Sequence, residues 1–157
     1  MRKEKCVADS KTEVSHLLFT RDMNGAGRLF GGQLLMWLDE VAGIVAKRHS
    51  ECNVTTACID NLQFKEACYI NDTIVMIGYI TYTGRTSMEI RIDTYVERLD
   101  GSRHPVNRAF FVMVALDEND QPTEVPLLKV TSMEEQAKWD AALKRLELRK
   151  QRRNEGF

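Results

Sequence analysis

The chain has 157 residues, 43% hydrophobic and 29% charged, with 22 Lys and Arg against 23 Asp and Glu. That length predicts one domain able to bury a core without disulfides or a metal. A net charge of −1 removes any whole-chain electrostatic case for nucleic acid or an anionic membrane, and no apolar run approaches the roughly 20 residues that span a bilayer.

Residues 1–12 read as an N-terminal extension. Met1–Cys6 is charged with no apolar segment behind it, which predicts no secretory leader and a cytoplasmic protein. Residues 13–19 predict a short strand, followed by a glycine-rich loop from Asp22 to Gly32. From Gly32 to about His49 the period turns helical: Leu34, Leu38, Val41 and Val45 share one stripe, with Leu35, Ala42 and Ala46 beside it. Four extended runs follow, at about 52–64, 72–83, 86–98 and 105–117, bounded by Asn71-Asp72, Gly84 and Asp100-Gly101. In the third run Met88, Ile90, Ile92 and Val96 alternate with Glu89, Arg91, Asp93 and Glu97, the pattern of a strand with one wet face. Asp100-Gly101 suits a tight hairpin, and the short links throughout predict an antiparallel sheet. The main domain is expected over 13–130. A last helix, with its basic tail, is expected over 131–157, starting near Thr131 and running to about Arg153 with Ser132 and Glu135 spaced as a capping box. Its end, Lys144–Arg153, reads as a solvated basic helix terminus.

The fold class is therefore α+β: one antiparallel sheet wrapped around one central helix, plus a C-terminal helix. A single curved sheet leaves edges unprotected, so a homodimer is expected.

On the wheel of the central helix, Gln33, Glu40 and Lys47 form the solvent side, whereas Asp39 falls beside Leu35, Gly43 and Ala46 at the apolar margin. A carboxylate there is costly unless partnered. Gly31 and Gly32 stand where the helix starts, so unpaired N–H groups and the positive dipole end face whatever binds there. One helix thus offers donors that polarise a carbonyl and a carboxylate that activates water. A nucleotide-binding reading of the loop fails, because the glycines do not make G-x-G-x-x-G and no G-K-[ST] follows. A purely structural turn stays open. Cys6, Cys52, Cys58 and Cys68 form no C-x-x-C pair, and His16, His49 and His104 are not spaced with them as zinc ligands. Free thiols and no metal are expected, with a Cys/His nucleophilic pair left open.

Asn24-Gly-Ala-Gly-Arg-Leu-Phe-Gly-Gly32 followed by Met36-Trp-Leu-Asp-Glu-Val-Ala-Gly43 resembles the hotdog-fold acyl-CoA thioesterases, in the cytosolic acyl-CoA hydrolase branch. The resemblance continues through Val54-Thr-Thr-Ala, Asn61-Leu-Gln-Phe64, Gly84-Arg-Thr-Ser-Met-Glu-Ile90 and Arg108-Ala-Phe-Phe111, and covers about 13–130. It implies a hotdog domain that hydrolyses acyl-CoA with no cofactor beyond the substrate's own CoA. It implies catalytic roles for Asn24 and Asp39, supplied by different subunits, and an N–H at Gly31-Gly32 that holds the thioester oxygen. Gly84, Arg85, Thr86 and Ser87 resemble the segment that contacts CoA, and Arg108 is a candidate phosphate partner. The resemblance also implies a homodimer that can assemble into a hexamer. Phe30 stands where many such enzymes carry His, leaving the backbone donor alone. A non-catalytic acyl-CoA sensor is the alternative, and a hotdog dehydratase lacks its histidine context here.

Overall fold

The computed structural model describes residues 1–157. The elements, in chain order, are β1 (Glu4–Cys6), β2 (Thr12–Leu17), α1 (Gly31–Ser50), β3 (Asn53–Phe64), β4 (Thr73–Thr83), β5 (Ser87–Glu97), β6 (Arg103–Leu116), β7 (Leu127–Lys129) and α2 (Met133–Glu155). Five strands form one antiparallel sheet in the order β2-β4-β5-β6-β3. The architecture is the expected antiparallel sheet around one central helix with a second helix after it, a single hotdog domain. Three-residue strands β1 and β7 add a small parallel pair that the sequence pattern does not reveal.

Helix α1 lies in the curve of the sheet because its apolar sector matches the sheet's concave face. Leu34, Trp37, Leu38, Val41, Ala42, Val45 and Ala46 are buried against Met88, Ile90 and Ile92 of β5, and Phe111 and Met113 of β6, with Ile74, Met76 and Ile80 of β4. The approach is close. A Cβ at Gly78 of β4 would lie 2.7 Å from Val41 Cγ1 and 3.1 Å from Val45 Cγ2, so glycine is required where helix meets sheet. Glu51 ends α1 in the left-handed conformation, φ 60°, and its amide caps Lys47 O.

The other face of the sheet corrects the expectation of a wet surface. Glu89 is 1% exposed and Asp93 is 9% exposed. Alternation along β5 separates two faces correctly, but it does not say what covers the polar one. Helix α2 covers it. Arg145 Nη2 donates to Glu89 Oε1 at 2.7 Å, and Arg149 Nη1 donates to Glu89 Oε2 at 2.9 Å and Asp60 Oδ2 at 3.1 Å. Arg152 Nη2 donates to Asp60 Oδ1 at 2.8 Å. The basic end of α2 is therefore solvated only in part: Lys144, Lys150 and Arg153 are exposed as expected, but Arg145, Arg149 and Arg152 turn to the sheet. It closes over two sheet carboxylates, and Arg145 also stacks 3.8 Å over the Phe110 ring. At the start of α2, Ser132 Oγ accepts from Glu135 N as expected, while Glu135 Oε2 reaches Thr131 N rather than the cap residue.

Candidate active site

The loop before α1 is built around Asn24. Its Oδ1 accepts from Ala26 N at 2.9 Å and from Arg28 N at 3.2 Å, and its own amide donates to Arg28 O at 2.7 Å. Gly27 completes the turn at φ +74°. Two backbone donors on Oδ1 fix the orientation of the carboxamide, so Asn24 presents its Nδ2 amide as a hydrogen-bond donor. Leu29 N bonds Cys68 O and Phe30 N bonds Asp22 O, which sets the angle at which the chain enters α1.

Phe30 caps α1 without a side-chain hydrogen bond, and its carbonyl accepts from Gln33 and Leu34. The N–H groups of Gly31 and Gly32 have no partner, as the first amides of a helix do not. Two aromatic rings flank them. Phe64 lies 3.5 Å from where a Cβ on Gly31 would be, and Phe30 lies 2.7 Å from where one on Gly32 would be. Phe30 therefore walls the helix mouth in place of offering a polar group. Asn24, Gly31, Leu34, Phe64, Cys68 and Val106 line a groove of about 350 Å³ here. Burial pushes the Cys68 thiol up to about 11, so it is no thiolate at neutral pH and offers no nucleophile.

Asp39 lies eight residues further along α1, about 12 Å from the helix mouth at 1.5 Å per residue, and is half-buried as the wheel predicts. Its partner comes from β3: Thr56 Oγ1 donates to Asp39 Oδ1 at 2.6 Å. Sequence reasoning missed Thr56. It noted Val54-Thr-Thr-Ala but had no means of choosing between Thr55 and Thr56. The alternation of β3 chooses, because Val54, Thr56 and Cys58 are half-buried while Thr55 and Ala57 are exposed.

The register fixes how these parts are distributed. Met88 of β5, Met113 of β6 and Thr56 of β3 form one row across the sheet. The Gly84–Ser87 turn between β4 and β5 therefore lies at the same end as Asp39, two strand spacings or about 10 Å from β3. Thr94, Asn107 and Phe64 form a row at the opposite end, where the Asn24 groove lies. Asp39 does not line that groove, so one chain does not bring Asn24 and Asp39 together. Within the turn, Gly84 N bonds Ser87 O at 2.9 Å, and Arg85 is exposed with no ion pair or hydrogen bond from its side chain. Arg108 points from the α2-bearing face, where its Nε donates to Asp93 Oδ1 at 3.1 Å; its side chain remains 55% exposed.

A sheet wrapped on a helix, with free amides at the helix mouth and a half-buried carboxylate along it, is the arrangement expected of a hotdog thioesterase. The comparisons agree. The thioesterase superfamily model matches residues 26–100. YkhA of Bacillus subtilis, an uncharacterized acyl-CoA thioester hydrolase, is 32% identical over 146 residues, covering 92% of this chain and 85% of that protein. The cytosolic acyl coenzyme A thioester hydrolase of Rattus norvegicus is 32% identical over 85% of this chain, which spans only 36% of that longer protein. The chain belongs to the acyl-CoA thioester hydrolases of the thioesterase superfamily.

Solved structures extend the likeness to nearly the whole chain. A hexameric acyl-CoA thioesterase aligns with TM-score 0.91 and 35% identity, covering 96% of this chain and 97% of that one. An acyl-CoA hydrolase of Staphylococcus aureus, in complex with butyryl coenzyme A, coenzyme A and coenzyme A disulfide, aligns with TM-score 0.92 and 28% identity over 98% and 94%. That enzyme has also been solved with an Asn, an Asp and a Thr each replaced by Ala. The three are separated by 15 and 17 residues, the same types in the same order and spacing as Asn24, Asp39 and Thr56.

Proposed function

We propose that this chain hydrolyses acyl-CoA to a free fatty acid and CoA in a site that two copies complete, with Asp39 of one and Asn24 of the other. The carrying observation is the placement of these residues at opposite ends of β3, an edge strand of 12 residues paired only with β6. Antiparallel pairing of two such edges sets the Thr56 end of one copy beside the Phe64 end of the other, and with them the acid and the amide. The homodimer is the minimal active unit. The hexamer formed by a similar thioesterase supports a trimer of such dimers.

In this reading the thioester carbonyl points at the Gly31 and Gly32 amides, which hold the oxyanion as it forms. Asn24 Nδ2 donates to the substrate or to the attacking water. Asp39, oriented by Thr56, takes the proton of that water as its oxygen bonds the carbonyl carbon. The tetrahedral intermediate collapses, the C–S bond breaks, and the proton passes from Asp39 to the leaving sulfur. A thiol with a pKa of about 8.5 leaves without a strong general acid. Attack by the Asp39 carboxylate itself, through an anhydride, is the other route; incorporation of oxygen-18 into Asp39 in a single turnover separates the two. The chemistry uses no cofactor beyond the CoA that the substrate carries. Gly84–Ser87 receives the CoA moiety, and Arg108 retains guanidinium donors for a phosphate. We assign the enzyme to the cytoplasm, in keeping with its cytosolic relative; no helix is long and apolar enough to cross a membrane.

Release of free thiol from acyl-CoAs of increasing length tests the reading. Asp39→Asn and Asn24→Ala each lower kcat by about a hundredfold or more. Mixed and refolded together, they regain activity, because a heterodimer carries one intact centre. Hydrolysis by Asp39→Asn at the parent rate overturns the assignment, and acyl-CoA binding without cleavage by the parent makes the chain a sensor.

A further inference from the structure

The opening residues tie the C-terminal end of α1 to the turn between β4 and β5. Glu4–Cys6 pairs in parallel with Leu127–Lys129. Lys3 and Lys5 hold the Glu51 carboxylate at 2.7 and 2.9 Å, at the C-terminal end of the helix whose other end carries Gly31 and Gly32. Lys5 Nζ also donates to Arg48 O on that helix. From this anchor the chain reaches Arg2, whose guanidinium crosses to the turn between β4 and β5. Its Nη2 donates to Gly84 O at 2.8 Å and to Val125 O at 2.6 Å, its Nε donates to Val125 O at 3.0 Å, and Arg85 O lies 3.5 Å away. Glu124 neutralises it at 3.7 Å, and only 23% of the side chain is exposed.

The carbonyls of the turn are thereby all engaged. Gly84 O faces Arg2, Arg85 O accepts from Val125 N at 2.9 Å, and Thr86 O accepts from Ala115 N at 3.0 Å. With its backbone fixed, the turn leaves the Arg85 guanidinium and the hydroxyls of Thr86 and Ser87 as its free chemistry, suited to phosphate and amide groups.

We propose that Arg2 is a positioning residue for the CoA moiety: it locks the Gly84–Ser87 turn in the shape that presents Arg85, Thr86 and Ser87 to the nucleotide and pantetheine. The inference rests on the acyl-CoA reading and adds a residue outside the span matched by the superfamily model. An arginine suits this position because its planar fork bonds carbonyls of two segments in fixed directions, whereas a lysine carries one compact ammonium on a flexible stem.

The test compares acyl-CoA with the same acyl group on N-acetylcysteamine, a thioester without nucleotide or phosphates. Arg2→Ala raises KM for acyl-CoA about tenfold, the loss of one charge-assisted contact, and changes kcat less than about twofold, the pattern of lost uniform binding. KM for the short thioester stays at the parent value, and Arg2→Lys falls between parent and Arg2→Ala. Calorimetric titration with CoA alone shows the same weakening without turnover. Equal losses on both substrates would make Arg2 merely structural, and an unchanged KM and CoA affinity would remove its role altogether. A parent protein that binds CoA but cleaves neither thioester overturns the hydrolase reading while the titration still decides the case of Arg2; a parent that binds no CoA overturns both.

Discussion

Thr56 shows how a single hydroxyl sets a carboxylate. Its Oγ1 donates to one oxygen of Asp39 at 2.6 Å, leaving the other free to take the proton of water in the proposed mechanism. A hydrogen bond to a charged group is worth about 1.5–3 kcal/mol, so Thr56→Ala lowers kcat by about ten- to a hundredfold with little change in KM, while Thr56→Ser retains most activity. Steady-state thiol release on the two variants checks this; an equal effect of Ala and Ser would assign the loss to the methyl group. Asp39 was legible in the sequence because a helical wheel places a residue on a face. Thr56 was not, because the contact joins a helix to a strand and only the folded register says which of two adjacent threonines turns inward. Asn24 was found through resemblance. The reason its carbonyl is committed to the loop, and its amide therefore free, became visible only with Ala26 N and Arg28 N in place.

At the scale of elements, α2 and the face it covers are one electrostatic unit. Glu89 and Asp60 are buried with Arg149, itself 9% exposed, between them. Arg145 and Arg152 complete the set. Removing one partner of a buried ion pair leaves an uncompensated charge, so Arg149→Met lowers stability by about 3–5 kcal/mol, read from chemical unfolding. Acid acts on the same contacts. Burial alone would raise the Asp60 pKa, but the hydrogen bonds and charges of Arg152 and Arg149 outweigh it and hold it below the ordinary carboxylate value. Asp60 therefore stabilises the fold above about pH 4, the value of an unfolded Asp, and that contribution is lost as pH falls through its lower folded value. Thermal unfolding of the parent and Asp60→Asn between pH 6 and pH 2 checks the sign: the parent's advantage shrinks toward the acid end. The boundaries of these elements were readable from periods of two and three to four residues. The docking of α2 was not, since alternation in β5 marks Glu89 and Asp93 as polar and says nothing of a helix some fifty residues later.

At the scale of the whole molecule, one chain leaves an apolar surface open. Phe30, Met36 and Ile44 of the α1 side and Ile59 and Phe64 of β3 are large apolar side chains left exposed by one chain, beside a strand edge with no partner. Such a surface is covered by association. Ile59→Asp is expected to give a monomer by sedimentation velocity and to lose about a hundredfold or more of kcat/KM, with the single-chain fold retained by circular dichroism. A monomer that still hydrolyses acyl-CoA would place Asn24 and Asp39 in separate roles. The order of elements was legible from the sequence, because an amphipathic helix and five strands close in few ways. The β1–β7 pair was not, because three residues carry no period.

The pairing of Asp60 and Glu89 with arginines near the end of α2 also orders the chain's assembly on the ribosome. Both acids are synthesised well before Arg145, Arg149 and Arg152. Through that interval the nascent sheet carries two hydrated negative charges on the surface it will later close. Those charges give up their water when α2 docks and its arginines replace it.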